Sequence, residues 1–423
     1  MFNRRHSIIP DYVHPVFMKT VETLFHKICD QGGSLMKKIF PFPRVTASTM
    51  TPHETQFCWS YSSNNMPDAE RCRTQVMATV NVTPDSFSDG GLHNNVPAAL
   101  SYISSSVFAG ATIVDVGGYS TRPGAAFVSV EDEINRVVPI IRAMRDRKFL
   151  ESMTHPIAVE SDEEIQRHVE TILTTPISID TFRWQVAEAA IEAGANCVND
   201  VCAFGGRELW RLPAEANEYT VRMKAVARKW SVPVILMHSR GDAGSNKDYK
   251  AFEYAADEKG NGTVLEGVRV ELGARVDLVT KGKDGLRRWL VIVDPGIGFS
   301  KSLQGNLEVL RSAEEVVGYT EIGHGLFVSW VTKSTHPEFI TSAPRYRNPL
   351  RGFPLLIGPS RKSFLGEILA QEPAGRRTVG KERTYATAGA VACAVRQKAC
   401  MIVRVHDVRE MMDVVKTTEA IYL

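Results

Sequence analysis

Five polar side chains each close or directly follow an apolar, β-branched run: Asn81 after VMATV, Asp180 in ISID, Asn199 in CVND, Asp294 in VIVD and Lys362 in GPSRK. Their types suit one task. Carboxylates accept hydrogen bonds from ring N–H and amine groups, whereas an ammonium or a side-chain amide donates to carbonyls and ring nitrogens. A buried ligand whose polar atoms went unpaired would lose ~1–3 kcal/mol per group, so a pocket for a flat, nitrogen-rich ring has to supply both kinds of partner. Taken singly, each residue has a plainer explanation. Asp180-Thr181 after a strand is an ordinary helix cap, and Asp294-Pro295-Gly296 an ordinary turn.

A second group suits an anion. Arg404 and His406 in IVRVHDV are two residues apart, so on a strand they point the same way, while Val403 and Val405 face the opposite side. Two such donors make a phosphate clamp, to which Thr121 and Arg122 of the Gly-rich GGYSTRPG run add a hydroxyl and a second guanidinium. The competing explanation is a helix cap at Asp407 with Arg404 in a salt bridge. Asn81 offers a neutral oxygen of the kind Mg2+ accepts when phosphates and water complete its shell. No His, Cys and carboxylate pattern suggests zinc or iron.

Such residues need a frame that brings strand ends together. Apolar runs at Val76–Val82, Thr112–Val116, Pro176–Asp180, Asn196–Asn199, Val232–Met237, Trp289–Asp294, Pro354–Gly358 and Ala399–Val405 alternate with helical patterns. The helical patterns include Pro97–Phe108, Glu131–Arg147, Arg183–Ala193, Leu265–Thr280, Leu303–Leu310, Tyr385–Arg396 and Val408–Tyr422. Strands apolar throughout, each followed by a helix, imply parallel pairing with both faces covered, and eight of them close a (β/α)8 TIM barrel. In such a barrel chemistry sits at the C-terminal ends of the strands, where the polar residues fall. Asp115, Asp200, His238, Ser360 and Arg361 share that placement.

The organisation predicts an N-terminal extension, residues 1–73, ahead of a barrel spanning 74–423. The extension carries one helical pattern, Val13–Ile28, and a Pro-, Ser- and Thr-rich linker, too little to bury a core of its own. Two inserts interrupt the barrel. Glu151–Glu170 is acidic and joins a helix to a strand, which places a solvated helix at the end opposite the chemistry. Glu321–Gly352, rich in Pro, Arg and aromatics, separates the sixth and seventh strands, and its pattern does not choose between an accessory surface and an irregular excursion.

Composition narrows the partners. Across 423 residues the formal charge is +2, which provides no broad basic field for nucleic acid. No apolar run is long enough to span a bilayer, and the start MFNRRHSIIPDYVHP has no continuous apolar core of a secretory signal. Seven cysteines without a CxxC pair read as reduced thiols, so the expected compartment is the cytoplasm. Arg4, Arg5 and His6 keep the mitochondrion as the alternative, opposed by Asp11 and the prolines after it.

The ordered motifs NVTPDSFSDGG, DVGGYSTRPG, SIDT, VND, LMHSRGD, DPGIGF, GPSRKS and RVHDV resemble those of the dihydropteroate synthases. The resemblance covers about Thr74 to Leu423. One departure is Tyr119, where many bacterial members carry Glu. IIPDYVHPVFMKTVETL looks like the end of a hydroxymethyldihydropterin pyrophosphokinase, which precedes the synthase in fungal multifunctional folate proteins. The resemblance implies condensation of 7,8-dihydropterin-6-ylmethyl diphosphate with para-aminobenzoate, giving dihydropteroate and pyrophosphate. It assigns Asp180, Asn199, Asp294 and Lys362 to the pterin, Asn81 to Mg2+, and Met237 and Val405 to substrate binding. Arg122, Arg404 and His406 fall to the pyrophosphate side, and Thr121, Pro123, Phe299 and Ser363 to the aminobenzoate pocket. Asn81, Asp180, Lys362, Arg404 and His406 are the expected catalytic set, and a homodimer is implied. The alternatives are a pterin-dependent methyltransferase domain, which needs no pyrophosphate clamp, and a non-catalytic scaffold barrel, which would have no need to keep that set.

Overall fold

The computed structural model describes residues 74–82, 95–121, 125–153, 161–206, 217–249, 263–282, 284–318, 321–322, 346–371, 375–397 and 399–422. The expected extension, Arg122, Pro123 and most of the second insert lie outside the described residues. Eight strands form the barrel: β1 (Gln75–Asn81), β2 (Ile113–Gly117), β3 (Ile177–Asp180), β4 (Cys197–Asp200), β5 (Val234–Met237), β6 (Val291–Asp294), β7 (Leu355–Ile357) and β8 (Cys400–Val405). They close in the order β1-β8-β7-β6-β5-β4-β3-β2, every neighbouring pair parallel. The expected (β/α)8 architecture is therefore the observed one.

Side-chain alternation sorts each strand into two faces. Val76, Ala78 and Val80 of β1, Val114 and Val116 of β2, and Val403 and Val405 of β8 join the large core shared with the surrounding helices. The opposite parity points inward. There Met77, Ile113, Cys197, Ile235, Ile292, Leu356 and Ile402 form a separate apolar layer. Two or four residues further along the same parity lie Asn81, Asp115, Asp180, Asn199, Met237, Asp294 and Arg404. Period-two geometry thus stacks the functional residues above an apolar floor. Val405 is the exception among the expected site residues: its side chain is buried in the helix-facing core. Only its backbone is left to meet a ligand.

The helices are α1 (Asn95–Phe108), α2 (Val130–Met144), α3 (Arg147–Met153), α4 (Asp162–Thr174), α5 (Trp184–Ala193), α6 (Glu218–Trp230), α7 (Thr263–Thr280), α8 (Leu303–Arg311), α9 (Ala313–Val316), α10 (Ser363–Leu369), α11 (Thr384–Arg396) and α12 (Val408–Tyr422). Several begin at a side-chain cap. Ser129, Ser161, Asn217 and Ser302 accept from backbone N–H groups of the first turns of α2, α4, α6 and α8. The continuous helix expected over Glu131–Arg147 is broken at Arg145, whose side chain turns inward. Its guanidinium donates to Leu173 O at 2.8 Å, Thr175 O at 3.0 Å, Gly194 O at 3.1 Å and Asn196 Oδ1 at 2.7 Å. That arginine ties together the connections entering β3 and β4, at the floor end. The acidic insert supplies α4 at that same end, as expected.

The second insert returns to the barrel through a two-residue antiparallel pairing, Glu321–Ile322 with Tyr346–Arg347. Asn348 then donates to Val316 O at 2.9 Å and Gly318 O at 3.0 Å, fixing the return before β7.

Candidate active site

Asp115, Asp180, Asn199 and Arg404 form a linked set inside the barrel mouth. Arg404 Nε donates to Asp115 Oδ2 at 2.6 Å and Arg404 Nη2 to Asp180 Oδ2 at 2.7 Å, while Asn199 Nδ2 donates to Asp115 Oδ2 at 3.1 Å. Strand register makes this possible: Asp180 lies opposite Gly117 on β2 and Asn199 on β4. A Cβ at Gly117 would fall 3.3 Å from Asp180 Cβ, so the glycine leaves room for that side chain. One guanidinium balances two carboxylates in a poorly solvated pocket, and Asp115 is fully buried.

Sequence reasoning placed Asp115 at the mouth without giving it a role. It is the anchor that turns Arg404 across the barrel, away from the phosphate clamp expected of it. Burial, with Asp115 and Glu133 adding to it against the pull of Arg404, pushes Asp180 up to about 7. His406 does not share Arg404's strand, since β8 ends at Val405. Its backbone N–H donates to Ser360 Oγ at 3.2 Å, its Nδ1 lies 3.0 Å from the same oxygen, and Tyr102 donates to its carbonyl at 2.6 Å.

Opposite this set, the Asp294–Ser300 turn carries two more expected residues. Asp294 Oδ1 accepts from Gly296 N at 2.7 Å, and burial pushes its carboxyl up to about 6 against that bond and the nearby Lys362 and Lys301. Gly296 has φ +70°, and a Cβ there would fall 2.0 Å from His238 O. Gly298, at φ +80°, leaves room for Lys362, whose Cδ would lie 2.7 Å from a Cβ. Lys362 Nζ consequently sits 4.0 Å from the centre of the Phe299 ring, a cation–π contact linking two expected site residues. Met237 pairs in register with Asp294 and lines a cavity with His238 and Glu271.

The stretch that presents Lys362 is held by Arg361, Asp407 and Arg383, to which the sequence reading gave no such task. Arg361 adopts φ +59° and pairs with Asp407 through two hydrogen bonds, one of them 3.0 Å. Arg383 donates to the carbonyls of Arg361 at 3.1 Å and Lys362 at 3.3 Å. Ser363 begins α10 exposed. Thr121 is half-buried beyond β2. Nearby, Tyr119 meets Phe182 edge-on at 5.3 Å and lies under the Arg183 guanidinium, which donates to buried Glu133 at 2.9 Å. The Tyr119 departure is therefore accommodated by packing, as a loop-supporting residue.

Asn81 closes β1 on the inward parity, and its side-chain amide has no hydrogen-bond partner among the described residues. The described residues also hold no cluster of three or more His, Cys, Asp or Glu able to cage a metal ion. A single neutral oxygen at the mouth fits a hard cation that takes its other ligands from substrate phosphates and water.

A family model for pterin binding enzymes matches residues 77–163 and 151–406. The chain belongs to that family. Among its relatives, the folic acid synthesis protein fol1 of Pneumocystis carinii is 33% identical over 416 residues, 98% of this chain and 43% of that protein. The chain therefore spans less than half of the fungal protein. The dihydropteroate synthase of Synechocystis is 34% identical over 350 residues, covering 83% of this chain and 91% of its own length. The solved dihydropteroate synthase of Clostridium difficile, with pteroic acid, aligns at a TM-score of 0.56 and 29% identity over 83% of this chain and 97% of that one. That of Burkholderia cenocepacia, complexed with 7,8-dihydropteroate, aligns at 0.54 and 26% identity over 82% and 91%.

Proposed function

We propose that this chain is a dihydropteroate synthase, joining a 7,8-dihydropterin-6-ylmethyl diphosphate to para-aminobenzoate with release of pyrophosphate. The observation that carries the reading is the placement of two carboxylates, an amide and two cations at the mouth of one barrel, in a chain belonging to the pterin-binding family. Asp180 and Asp294 accept from the ring's amine and N–H groups, and Asn199 and Lys362 donate to its carbonyl and nitrogens. The bond from the methylene to the diphosphate oxygen breaks, and its electron pair leaves with pyrophosphate. The positive charge left on carbon spreads into the electron-rich ring, beside Asp180 and Asp294. The aniline nitrogen donates its lone pair to the carbon and releases a proton to solvent or phosphate, so no activated Ser or Cys is needed.

Arg404 and His406 flank the departing oxyanion in this reading, and Arg122 is assigned there by resemblance. Arg404 must exchange at least one carboxylate partner when the substrates bind. Asn81 would hold Mg2+, whose charge when bound supplies further stabilisation of pyrophosphate. The 98% coverage by the fungal folate protein supports the reading of residues 1–73 as the tail of a pyrophosphokinase unit ahead of the synthase. A homodimer is carried over by resemblance and is checked by sedimentation. Reduced-type cysteines support a cytoplasmic site, and among the described residues no helix is long and apolar enough to cross a membrane.

The test supplies dihydropterin diphosphate, Mg2+ and labelled para-aminobenzoate to the full chain and to Asp180→Asn. Label entering dihydropteroate, lost in the variant, is the expected outcome. A wild-type chain that forms no product overturns the reading.

A further inference from the structure

Lys301 follows the DPGIGF motif and belongs to none of the groups assigned above. It is buried, yet its ammonium donates to two carbonyls and an imidazole: Gly296 O at 3.0 Å, Phe299 O at 3.1 Å and His238 Nδ1 at 3.1 Å. Since Nδ1 accepts, the His238 ring carries its proton on Nε2 and donates to Glu271 Oε2 at 2.8 Å. Glu271 is held in turn by Arg240 Nε at 3.0 and 3.1 Å. The lysine is thus tied through His238 to the middle of α7. Burial, opposed by Asp294 and Glu271, draws its pKa down to about 7.

What this amine grips is the turn that bears both Asp294 and Phe299. The turn contains three left-handed positions, Gly296, Gly298 and Ser300 at φ +48°. Such a segment has many alternatives unless its carbonyls are engaged. The two carbonyl acceptors flank Ile297 and Gly298, so one atom ties the backbone next to Asp294 to that of Phe299, alongside the Phe299 N–H bond to Gly296 O at 3.0 Å. Asn306 supports the middle independently, accepting from Gly298 N at 2.6 Å.

We propose that Lys301 is a positioning residue for the condensation, setting the Asp294–Phe299 geometry from beneath the pocket; the inference rests on the synthase reading. A lysine that only stabilises the fold would lower the amount of folded protein without singling out Asp294. Lys301→Met keeps the stem and removes the donors. It is expected to lower kcat/KM for the dihydropterin diphosphate about 100-fold in folded protein, the scale of an ångström-level misplacement.

The deciding measurement is a double-mutant cycle with Asp294→Asn, read on kcat/KM and on the pterin KM separately. If Lys301 acts through Asp294, its loss costs less than about threefold in the Asn background. Equal losses in both backgrounds overturn the proposal while leaving the synthase reading intact, whereas a wild-type chain that makes no product overturns both. Should Lys301→Met not fold, His238→Phe, which keeps a ring and removes one of the lysine's three acceptors, goes through the same cycle. Non-additivity there supports the proposal and additivity overturns it.

Discussion

Two arginines, one buried and one partly buried, sit at opposite ends of the barrel and are held in opposite ways. Arg145, at the floor end, donates only to neutral oxygens: three backbone carbonyls and the Asn196 amide. Burial draws its pKa down to about 9. Arg404, at the mouth, is clasped by two carboxylates, which raise its pKa against the effect of burial. Fixed carbonyls belong to the fold and cannot be traded away. A carboxylate shared with an incoming ring can be. The floor arginine is therefore an element of architecture, whereas the mouth arginine, in the synthase reading, can exchange a carboxylate partner for substrate.

The comparison breaks if substitutions at the two ends have interchangeable effects. The largest effect is expected for Arg404→Lys, which keeps the charge and loses the fork: kcat/KM falls about 100- to 1,000-fold, as for loss of a transition-state donor. Its thermal midpoint should move little, and steady-state assay beside a melting curve checks both. Arg145→Met should do the reverse. Leaving several buried acceptors unpaired costs about 3 kcal/mol in a urea titration, with the kcat of the folded fraction unchanged.

Much of this division was legible before the fold was known. The alternation of apolar runs and helical patterns specified eight strands, because a strand covered on both faces has to be apolar throughout. The polar residues closing those strands marked the mouth. Contacts between side chains far apart in sequence were not legible. Asp115 lies 289 residues from Arg404, and nothing in IVDVG says that its carboxylate will capture that guanidinium. Lys301, His238 and Glu271 come from three separate segments, with Glu271 hidden mid-helix among apolar neighbours. Helix α6 escaped notice because EYTVRMKAVARKW spreads its charges widely and buries small faces such as Ala227.

The mouth should also respond to pH where the floor does not. In the synthase reading the ionised carboxylates are the pterin acceptors, and burial pushes Asp180 up to about 7 and Asp294 up to about 6. Pterin affinity is therefore expected to weaken about tenfold between pH 8 and pH 6, measured by calorimetry, a loss of about one pKa unit's worth of interaction. Level affinity across that range would remove these two groups from the pocket's recognition.

The smallest expected effect concerns stability. A carboxyl whose folded pKa exceeds its unfolded value contributes stability below the unfolded pKa, and that contribution is lost as pH rises through the folded pKa. Asp294 therefore weighs against the folded state above about pH 6. Asp294→Asn should raise the thermal midpoint by about 1 °C at pH 8, the shift for roughly 1 kcal/mol in a chain of this size, with the gain shrinking toward pH 4. A lower midpoint at pH 8 would mean that the carboxylate is part of the scaffold after all.

The apolar layer of Met77, Ile113, Cys197, Ile235, Ile292, Leu356 and Ile402 makes the barrel a cup and not a tube. In the synthase reading, whatever reaches the carboxylates above that floor comes and goes at the mouth, so both reactants and both products share one approach.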